Sequence, residues 1–143
     1  MPVENLKFFI VDDDLFHRNI MKQILTTNGY NDVHIYDNGL NALNEIHCNP
    51  DVVFLDHNMD LYNGYEVLRK IKRYNPNINV IIVSSQESIE TAVKTLKYGA
   101  FDYLQKDAEL EDNVLSCINR IMDLQQALKK QNKSVLRKIF AAF

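Results

Sequence analysis

The sequence predicts an α/β fold: a doubly wound, five-stranded parallel sheet with helices on both faces. Short apolar runs rich in β-branched and aromatic residues alternate with segments whose apolar residues recur at helical spacing. Strands that are apolar along their whole length are typical of a parallel sheet whose two faces are both covered by helices. The 143 residues are enough for one such domain with its own core.

Two β/α units are predicted in the N-terminal part of the chain. Their strands cover residues 7–11 and 33–36, where the apolar runs are short and β-rich. The helix between them is expected to end at Asn28-Gly29, a common helix stop. Its apolar face consists of Ile20, Met21, Ile24 and Leu25. The apolar face of the second helix consists of Leu40, Leu43 and Ile46.

Three further strands are predicted at residues 51–55, 79–83 and 101–104. A helix over residues 65–73 follows the third strand and is expected to end before Asn75-Pro76. Its apolar face consists of Val67, Leu68 and Ile71. The helix after the fourth strand has an apolar stripe of Ile89, Ala92, Val93 and Leu96.

The final helix is predicted to begin near Glu109 and to carry an apolar stripe that is longer than those of the other helices. We expect residues 131–133 to interrupt this stripe and Ser134 to cap a separate short helix. Residues 1–125 are then one domain, and residues 126–143 are a C-terminal helical extension or linker. Its apolar face predicts a homodimer contact, a docked tail or a link to a missing output domain.

Composition and charge exclude several classes of protein. A net charge of −3 disfavours nucleic-acid binding by this chain alone, and no apolar run approaches the roughly 20 residues that span a bilayer. Cys48 and Cys117 have neither a disulfide pattern nor metal-ligand spacing, so buried or half-buried thiols are predicted. The four histidines show no mutual ligand spacing and are predicted on the surface or in loops. These features predict a cytoplasmic protein.

Polar residues follow four of the apolar runs, at the edge of the sheet where the ends of parallel strands meet. Asp12, Asp13 and Asp56 would repel one another there unless a cation holds them, and Mg²⁺ is the natural candidate because it prefers oxygen ligands. Lys106 can neutralise phosphoryl oxygens, and the Ser84 hydroxyl can donate a hydrogen bond to them. A carboxylate nucleophile that forms an acyl phosphate is therefore predicted.

These residues resemble the receiver domain of two-component response regulators, a family that includes chemotaxis regulators. The resemblance covers roughly residues 5–125 in the expected order. It is carried by Val11-Asp12-Asp13-Asp14 with Arg18, Asp56 and Met59 with Gly64, Ser84-Ser85, and the run from Gly99 to Lys106. It implies a flavodoxin-like fold with strand order 2-1-3-4-5. It also implies a phosphorelay protein that takes a phosphoryl group from a sensor histidine kinase or a histidine phosphotransfer protein.

The resemblance assigns a role to each residue of the site. It implies that Asp56 is the phosphoacceptor, and that Asp12, Asp13 and Asp56 bind Mg²⁺ together with the carbonyl of Asn58. Ser84 and Lys106 would hold the phosphoryl oxygens, and Ser84 and Tyr103 would form the switch. Asn58 and Gln86 stand where the family tunes dephosphorylation. Such a domain is a signalling module that catalyses only its own phosphotransfer and autodephosphorylation.

Two positions depart from the family pattern. Asp60 and Asp107 stand where the family usually has prolines. A cis bond before a residue other than proline costs about 3 kcal/mol, so the Lys106-Asp107 peptide is either trans or held cis by its surroundings. Asp107 leaves open an alternative, a phosphate-independent interaction domain with the same fold. A phosphohydrolase with an aspartate nucleophile is also considered, but Asn58 stands where its second aspartate would be needed.

Overall fold

The computed structural model describes residues 5–59, 63–86 and 88–142, and it contains one five-stranded parallel sheet. The strands are β1 (Phe8–Val11), β2 (Val33–Tyr36), β3 (Val52–Asp56), β4 (Asn79–Ser84) and β5 (Asp102–Gln105). Their order in the sheet is β2-β1-β3-β4-β5, which confirms the predicted fold class. Each predicted strand lies within about one residue of the observed one. For β1, β3 and β4 the reason is that apolar runs flanked by turn residues define buried strands closely.

Five α-helices and one 3₁₀ turn complete the described chain. The helices are α1 (Leu15–Thr27), α2 (Gly39–Asn44), α3 (Gly64–Tyr74), α4 (Ile89–Lys97) and α5 (Leu110–Ala141), and the 3₁₀ turn is Ile46–Cys48. The chain divides into two units between Leu110 and Glu111. The first unit contains the sheet and α1 to α4, and the second consists of α5 from Glu111 onward.

The core of the first unit lies on both faces of the central strands. All four residues of β1 are fully or almost fully buried, so alternate side chains of this strand enter opposite layers. Phe8 packs edge-on against Tyr30 and stacks on Phe54. Phe9 belongs to the other layer, which also contains the apolar residues of α3: Val67, Leu68 and Ile71. Burial of both faces explains why the sequence of β1 shows no polar alternation.

Helix caps fix where the helices begin and end. Asp14 is the N-cap of α1, and its Oδ1 accepts a hydrogen bond from the Phe16 amide at 2.9 Å. This residue therefore caps a helix rather than joining the neighbouring aspartates in the site. Gly29 follows α1 with a φ of 91°, a left-handed conformation that glycine adopts readily. The predicted stop at Asn28-Gly29 is confirmed.

Two predicted apolar faces differ from the observed core. Leu40 is exposed, because α2 is only six residues long and passes into a 3₁₀ turn, so Ala42 and Ile46 are the residues that are buried. On α4, Ile89, Val93 and Leu96 are exposed, and Thr95 is buried instead. Helical spacing identifies a common face but not the layer against which that face lies.

The predicted interruption of the last helix is wrong. α5 runs unbroken through residues 131–133 and past Ser134, for 32 residues or about 48 Å at 1.5 Å per residue. The segment contains no glycine or proline, and glutamine, lysine and serine are tolerated inside a solvent-exposed helix. Val114, Ile118 and Ile121 are buried, and the apolar residues from Leu124 onward are exposed.

None of the described helices is long and apolar enough to cross a bilayer.

Candidate functional site

Four predicted site residues lie at the carboxyl ends of neighbouring strands. Asp12 directly follows β1, Asp56 is the last residue of β3, Ser84 is the last residue of β4, and Lys106 directly follows β5. Asp12, Asp56 and Ser84 are at most 6 % exposed. Residues that are 94 positions apart in the sequence are thus brought into contact by the parallel arrangement of the strands.

Lys106 connects the two buried carboxylates. Its Nζ lies 2.9 Å from Oδ2 of Asp12 and 3.3 Å from Oδ1 of Asp56. The side chain of Lys106 is 7 % exposed. Burial alone would lower the pKa of this lysine, but the hydrogen bond to Asp12 and the charges of both aspartates raise its pKa above the ordinary value. The ammonium therefore stays charged, and it neutralises part of the negative charge of the site.

Asp12 is fixed from two sides. The backbone amide of Asp14 donates to its Oδ1 at 2.9 Å, and the Arg18 guanidinium donates to its backbone carbonyl at 2.8 Å. Arg18 belongs to the motif of the resemblance, but the sequence assigned it no contact. Its position one turn into α1 could have suggested that it reaches back to the end of β1, because side chains on a helix point toward its N-terminus.

Asp56 has an unusual acidity. The pKa of Asp56 is raised from 3.8 to about 6: burial and the charge of Asp12 raise it, and Lys106 and the backbone amide of Asn58 lower it. The backbone amide of Asn58 donates a hydrogen bond to Oδ1 of Asp56 at 3.3 Å. A carboxylate that is buried beside a second carboxylate binds a cation more readily than an isolated one, because the cation removes the repulsion between the two.

The three predicted aspartates form a group of possible metal ligands. One carboxylate oxygen from each of Asp12, Asp13 and Asp56 lies within 4.8 Å of the others. Asp13 is exposed at the mouth, while the other two are buried. The donors are all hard oxygen atoms and one side of the group is open to water, and both properties suit Mg²⁺, which retains several waters in protein sites.

Ser84 and Tyr103 both bond to the backbone of Gln86. The backbone amide of Gln86 donates to Oγ of Ser84 at 3.1 Å, and the Tyr103 hydroxyl donates to the backbone carbonyl of Gln86 at 3.1 Å. Ser84 is fully buried, and Tyr103 is partly buried against the apolar core. The side chains of Asn58 and Gln86 are exposed beside the site. The two predicted switch residues are therefore linked through one residue of the loop after β4.

The end of β3 lies close to the start of α3. A Cβ atom on Gly64 would lie 2.7 Å from the Asp56 carbonyl oxygen and 2.8 Å from Cα of His57. His57 itself is half-buried, and burial lowers the pKa of its imidazole. The prediction that this histidine is a loop residue holds for its backbone, but its side chain is not freely exposed.

Gly64→Ala is expected to destabilise the domain by about 1–3 kcal/mol, because the backbone of Asp56 and His57 must move away from the new methyl group. Urea unfolding followed by circular dichroism measures this change. The same displacement would shift Asp56 and, with it, the group of carboxylates at the carboxyl edge of the sheet. An unchanged unfolding midpoint would show that the two segments do not approach each other this closely.

One of the two departures from the family pattern can be located. The described residues contain no cis peptide bond, so the Lys106-Asp107 peptide is trans. The Lys106 amide donates to the Ser84 carbonyl at 2.8 Å, which ties the end of β5 to the end of β4. Asp60, the other departure, lies outside the described residues.

Comparison with known proteins identifies the family. The family model described as "Response regulator receiver domain" matches residues 8–118. The chain belongs to this family. The receiver domain is 38 % identical over 112 residues to the transcriptional regulatory protein ZraR of Klebsiella oxytoca, an alignment that covers 78 % of this chain and 25 % of the relative. It is 33 % identical over 131 residues to a protein-glutamate methylesterase/protein-glutamine glutaminase of Pyrococcus horikoshii, with 82 % and 36 % covered.

Solved structures share the same fold. A CheY-like response regulator receiver domain protein from Methanospirillum hungatei is 30 % identical to this receiver domain with a TM-score of 0.76, and 85 % of this chain and 98 % of that one are covered. The matching curated relatives are much longer than this chain, which spans about a quarter to a third of their length. The match establishes a domain of two-component signalling proteins.

Proposed function

We propose that this receiver domain accepts a phosphoryl group on Asp56 in a Mg²⁺-dependent reaction. The phosphoryl donor is a sensor histidine kinase or a histidine phosphotransfer protein. The main support is the buried cluster in which Lys106 contacts both Asp12 and Asp56 at the carboxyl edge of the sheet. A structural ion pair would need one carboxylate, whereas a second carboxylate on the same lysine leaves a net negative site that is suited to a cation and a phosphate.

In this proposal a carboxylate oxygen of Asp56 attacks the phosphorus atom. A new P–O bond forms while the P–N bond to the donor imidazole breaks, and the imidazole then takes up a proton. A pKa of about 6 leaves most Asp56 side chains ionised at neutral pH, so the nucleophile is available. Bound Mg²⁺, held by Asp12, Asp13, Asp56 and the Asn58 carbonyl, would neutralise charge on the transferring group.

Lys106 and Ser84 are the proposed contacts to the phosphoryl group. Lys106 can transfer its hydrogen bonds from the carboxylates to phosphoryl oxygens, because its ammonium has three donors on a flexible stem. Movement of the Ser84 hydroxyl toward the phosphate would break its hydrogen bond with the backbone amide of Gln86. Tyr103 bonds to the carbonyl of that same residue, so rearrangement of the loop would release the tyrosine and alter the surface.

Two exposed amides are proposed to affect the lifetime of the phosphoryl group. Asn58 lies two residues after Asp56, and Gln86 lies two residues after Ser84. Their side chains can orient a water molecule toward the aspartyl phosphate, which would favour autodephosphorylation. We propose that the domain catalyses only its own phosphotransfer and dephosphorylation, and that its output is a change in binding surface.

The extension is proposed to carry the signal to a partner. We retain residues 1–125 as the receiver domain and 126–143 as the extension. The extension has exposed apolar side chains along α5, including Val135, Ile139 and Phe140. The curated relatives are much longer than this chain, so a link to an output domain would cover this apolar face. A homodimer contact would cover it equally well.

The decisive experiment is intact-mass spectrometry after incubation with a small phosphodonor and Mg²⁺. Wild type should gain one phosphoryl group, and Asp56→Asn should gain none because the amide is not a nucleophile under these conditions. Asp32→Asn is the matched control, since Asp32 lies outside the site and bonds to His34. Equal labelling of Asp56→Asn and wild type would overturn the proposal, as would no labelling of wild type by either the small donor or a histidine phosphotransfer protein.

A further inference from the structure

A second group of possible metal ligands lies between α2 and β3. One ligand atom from each of Glu45, His47 and Cys48 lies within 4.8 Å of the other two, and all three side chains are exposed. The sequence predicts no metal-ligand spacing for Cys48 and predicts that its thiol is buried or half-buried. The second prediction is wrong, because Cys48 is exposed. The 3₁₀ turn explains the difference, because three residues per turn place the side chains of Glu45 and Cys48 one above the other.

The imidazole of His47 is oriented for binding a metal. Its Nδ1 lies 3.1 Å from the Asn44 carbonyl oxygen, an acceptor, so Nδ1 carries the proton in the neutral ring. Nε2 is then the free acceptor, and it lies 3.9 Å from Oε2 of Glu45. A backbone carbonyl that fixes the tautomer of a histidine is the usual outer partner of a metal-bound imidazole.

The turn that carries these ligands is anchored on three sides. Asn49 ends it in a left-handed conformation with a φ of 53°, and its side-chain amide donates to the His47 carbonyl at 3.2 Å. Asn75 donates to Oδ1 of Asn49 at 3.2 Å. Lys7 donates to the Cys48 carbonyl at 3.2 Å. Anchoring of the backbone reduces the conformational entropy that would be lost when an ion is bound.

The distances between the ligand atoms are close to those found around a bound metal ion. Oε2 of Glu45 lies 3.9 Å from Sγ of Cys48 and 3.9 Å from Nε2 of His47. Two such ligand atoms on one tetrahedral Zn²⁺ lie roughly 3.4 to 3.6 Å apart, given the usual metal-ligand bond lengths. For these two pairs a contraction of a few tenths of an ångström by side-chain rotation is therefore enough.

We propose that Glu45, His47 and Cys48 bind a thiophilic divalent ion, with Zn²⁺ as the best fit. Sulfur, imidazole nitrogen and carboxylate oxygen form a mixed donor set that suits Zn²⁺ and disfavours Mg²⁺. A thiolate and a carboxylate neutralise the two charges of the ion, and the thiol proton is released on binding. Water completes the tetrahedron at the exposed fourth position. This site is separate from the Asp12, Asp13 and Asp56 group and does not depend on the phosphorylation proposal.

The test uses Co²⁺ as a spectroscopic probe and Zn²⁺ as the competitor, with the full chain kept reduced by a non-thiol reductant. Excess Mg²⁺ occupies the acidic group, and Asp13→Asn provides a second way to silence it. Wild type and Asp13→Asn should both bind one Co²⁺ with a thiolate-to-metal charge-transfer band that Zn²⁺ removes. Cys48→Ser should lose this band, because the buried Cys117 is not part of the group.

His47→Ala should weaken Zn²⁺ binding by more than about 10-fold, since loss of an outer-shell partner alone costs about 10–100-fold. His34→Ala is the matched control, because it removes another exposed histidine that bonds to an acidic neighbour. The proposal is overturned if Cys48→Ser keeps the charge-transfer band, or if His34→Ala weakens binding as much as His47→Ala. One ion per two chains would also overturn it, because all three ligands belong to one chain.

Discussion

Replacing Lys106 with methionine is expected to destabilise the domain by about 3–5 kcal/mol in the absence of divalent cations. The substitution leaves Asp12 and Asp56 buried without the ammonium that contacts both, and removal of one partner from a buried ion pair has this cost. Methionine fills a similar volume, so little of the loss should come from packing. Urea unfolding at neutral pH measures the change, and Mg²⁺ should restore part of the stability because it supplies the missing positive charge.

A double-mutant cycle separates the ion pair from other effects of the substitution. Asp56→Asn removes one of the two carboxylates, so Lys106→Met should cost less in that background than in wild type. Lys22→Met removes an exposed lysine and should change the free energy of unfolding by less than about 0.5 kcal/mol. Equal costs of Lys106→Met in both backgrounds would show that Lys106 does not interact with Asp56.

The sheet could be predicted from the sequence because its three central strands, β1, β3 and β4, are buried on both faces. Runs such as Val52 to Leu55 are typical of a covered parallel strand, and the polar residue after each run then marks the edge where the site forms. Asp12, Asp56 and Lys106 could be placed together in this way before any coordinates were known. The strand order itself came from the resemblance to the family.

Other features depend on interactions that periodicity does not express. The apolar stripe of α4 is exposed, because the same spacing serves either a core or a binding surface. α5 continues through residues 131–133, because polar residues end a helix only when another conformation offers them better hydrogen bonds. The group formed by Glu45, His47 and Cys48 depends on a 3₁₀ turn, whose three-residue period differs from that of the predicted helix.

Mg²⁺ is expected to stabilise the wild-type domain by about 2.7 kcal/mol at a concentration 100 times its Kd, because the ion binds the folded state and not the dispersed aspartates of the unfolded chain. Asp13→Asn should lose most of this gain. In the metal-free protein Asp13→Asn should leave stability unchanged or raise it, because it removes one of three carboxylates that repel one another. Thermal unfolding across a Mg²⁺ titration measures both quantities in one experiment.

The stabilisation by Mg²⁺ depends on pH because the pKa of Asp56 is raised. In the metal-free protein the folded state binds the Asp56 proton more tightly than the unfolded state does, so this residue makes stability fall as pH rises from 3.8 to about 6. Protons and Mg²⁺ compete for the same carboxylate, and the stabilisation by Mg²⁺ should therefore become smaller as pH falls through about 6.

Asp14→Asn is the matched control for Asp13→Asn, since asparagine also caps α1. If it reduced the Mg²⁺ effect as much as Asp13→Asn, the ion would be responding to the local negative charge rather than to the predicted ligands.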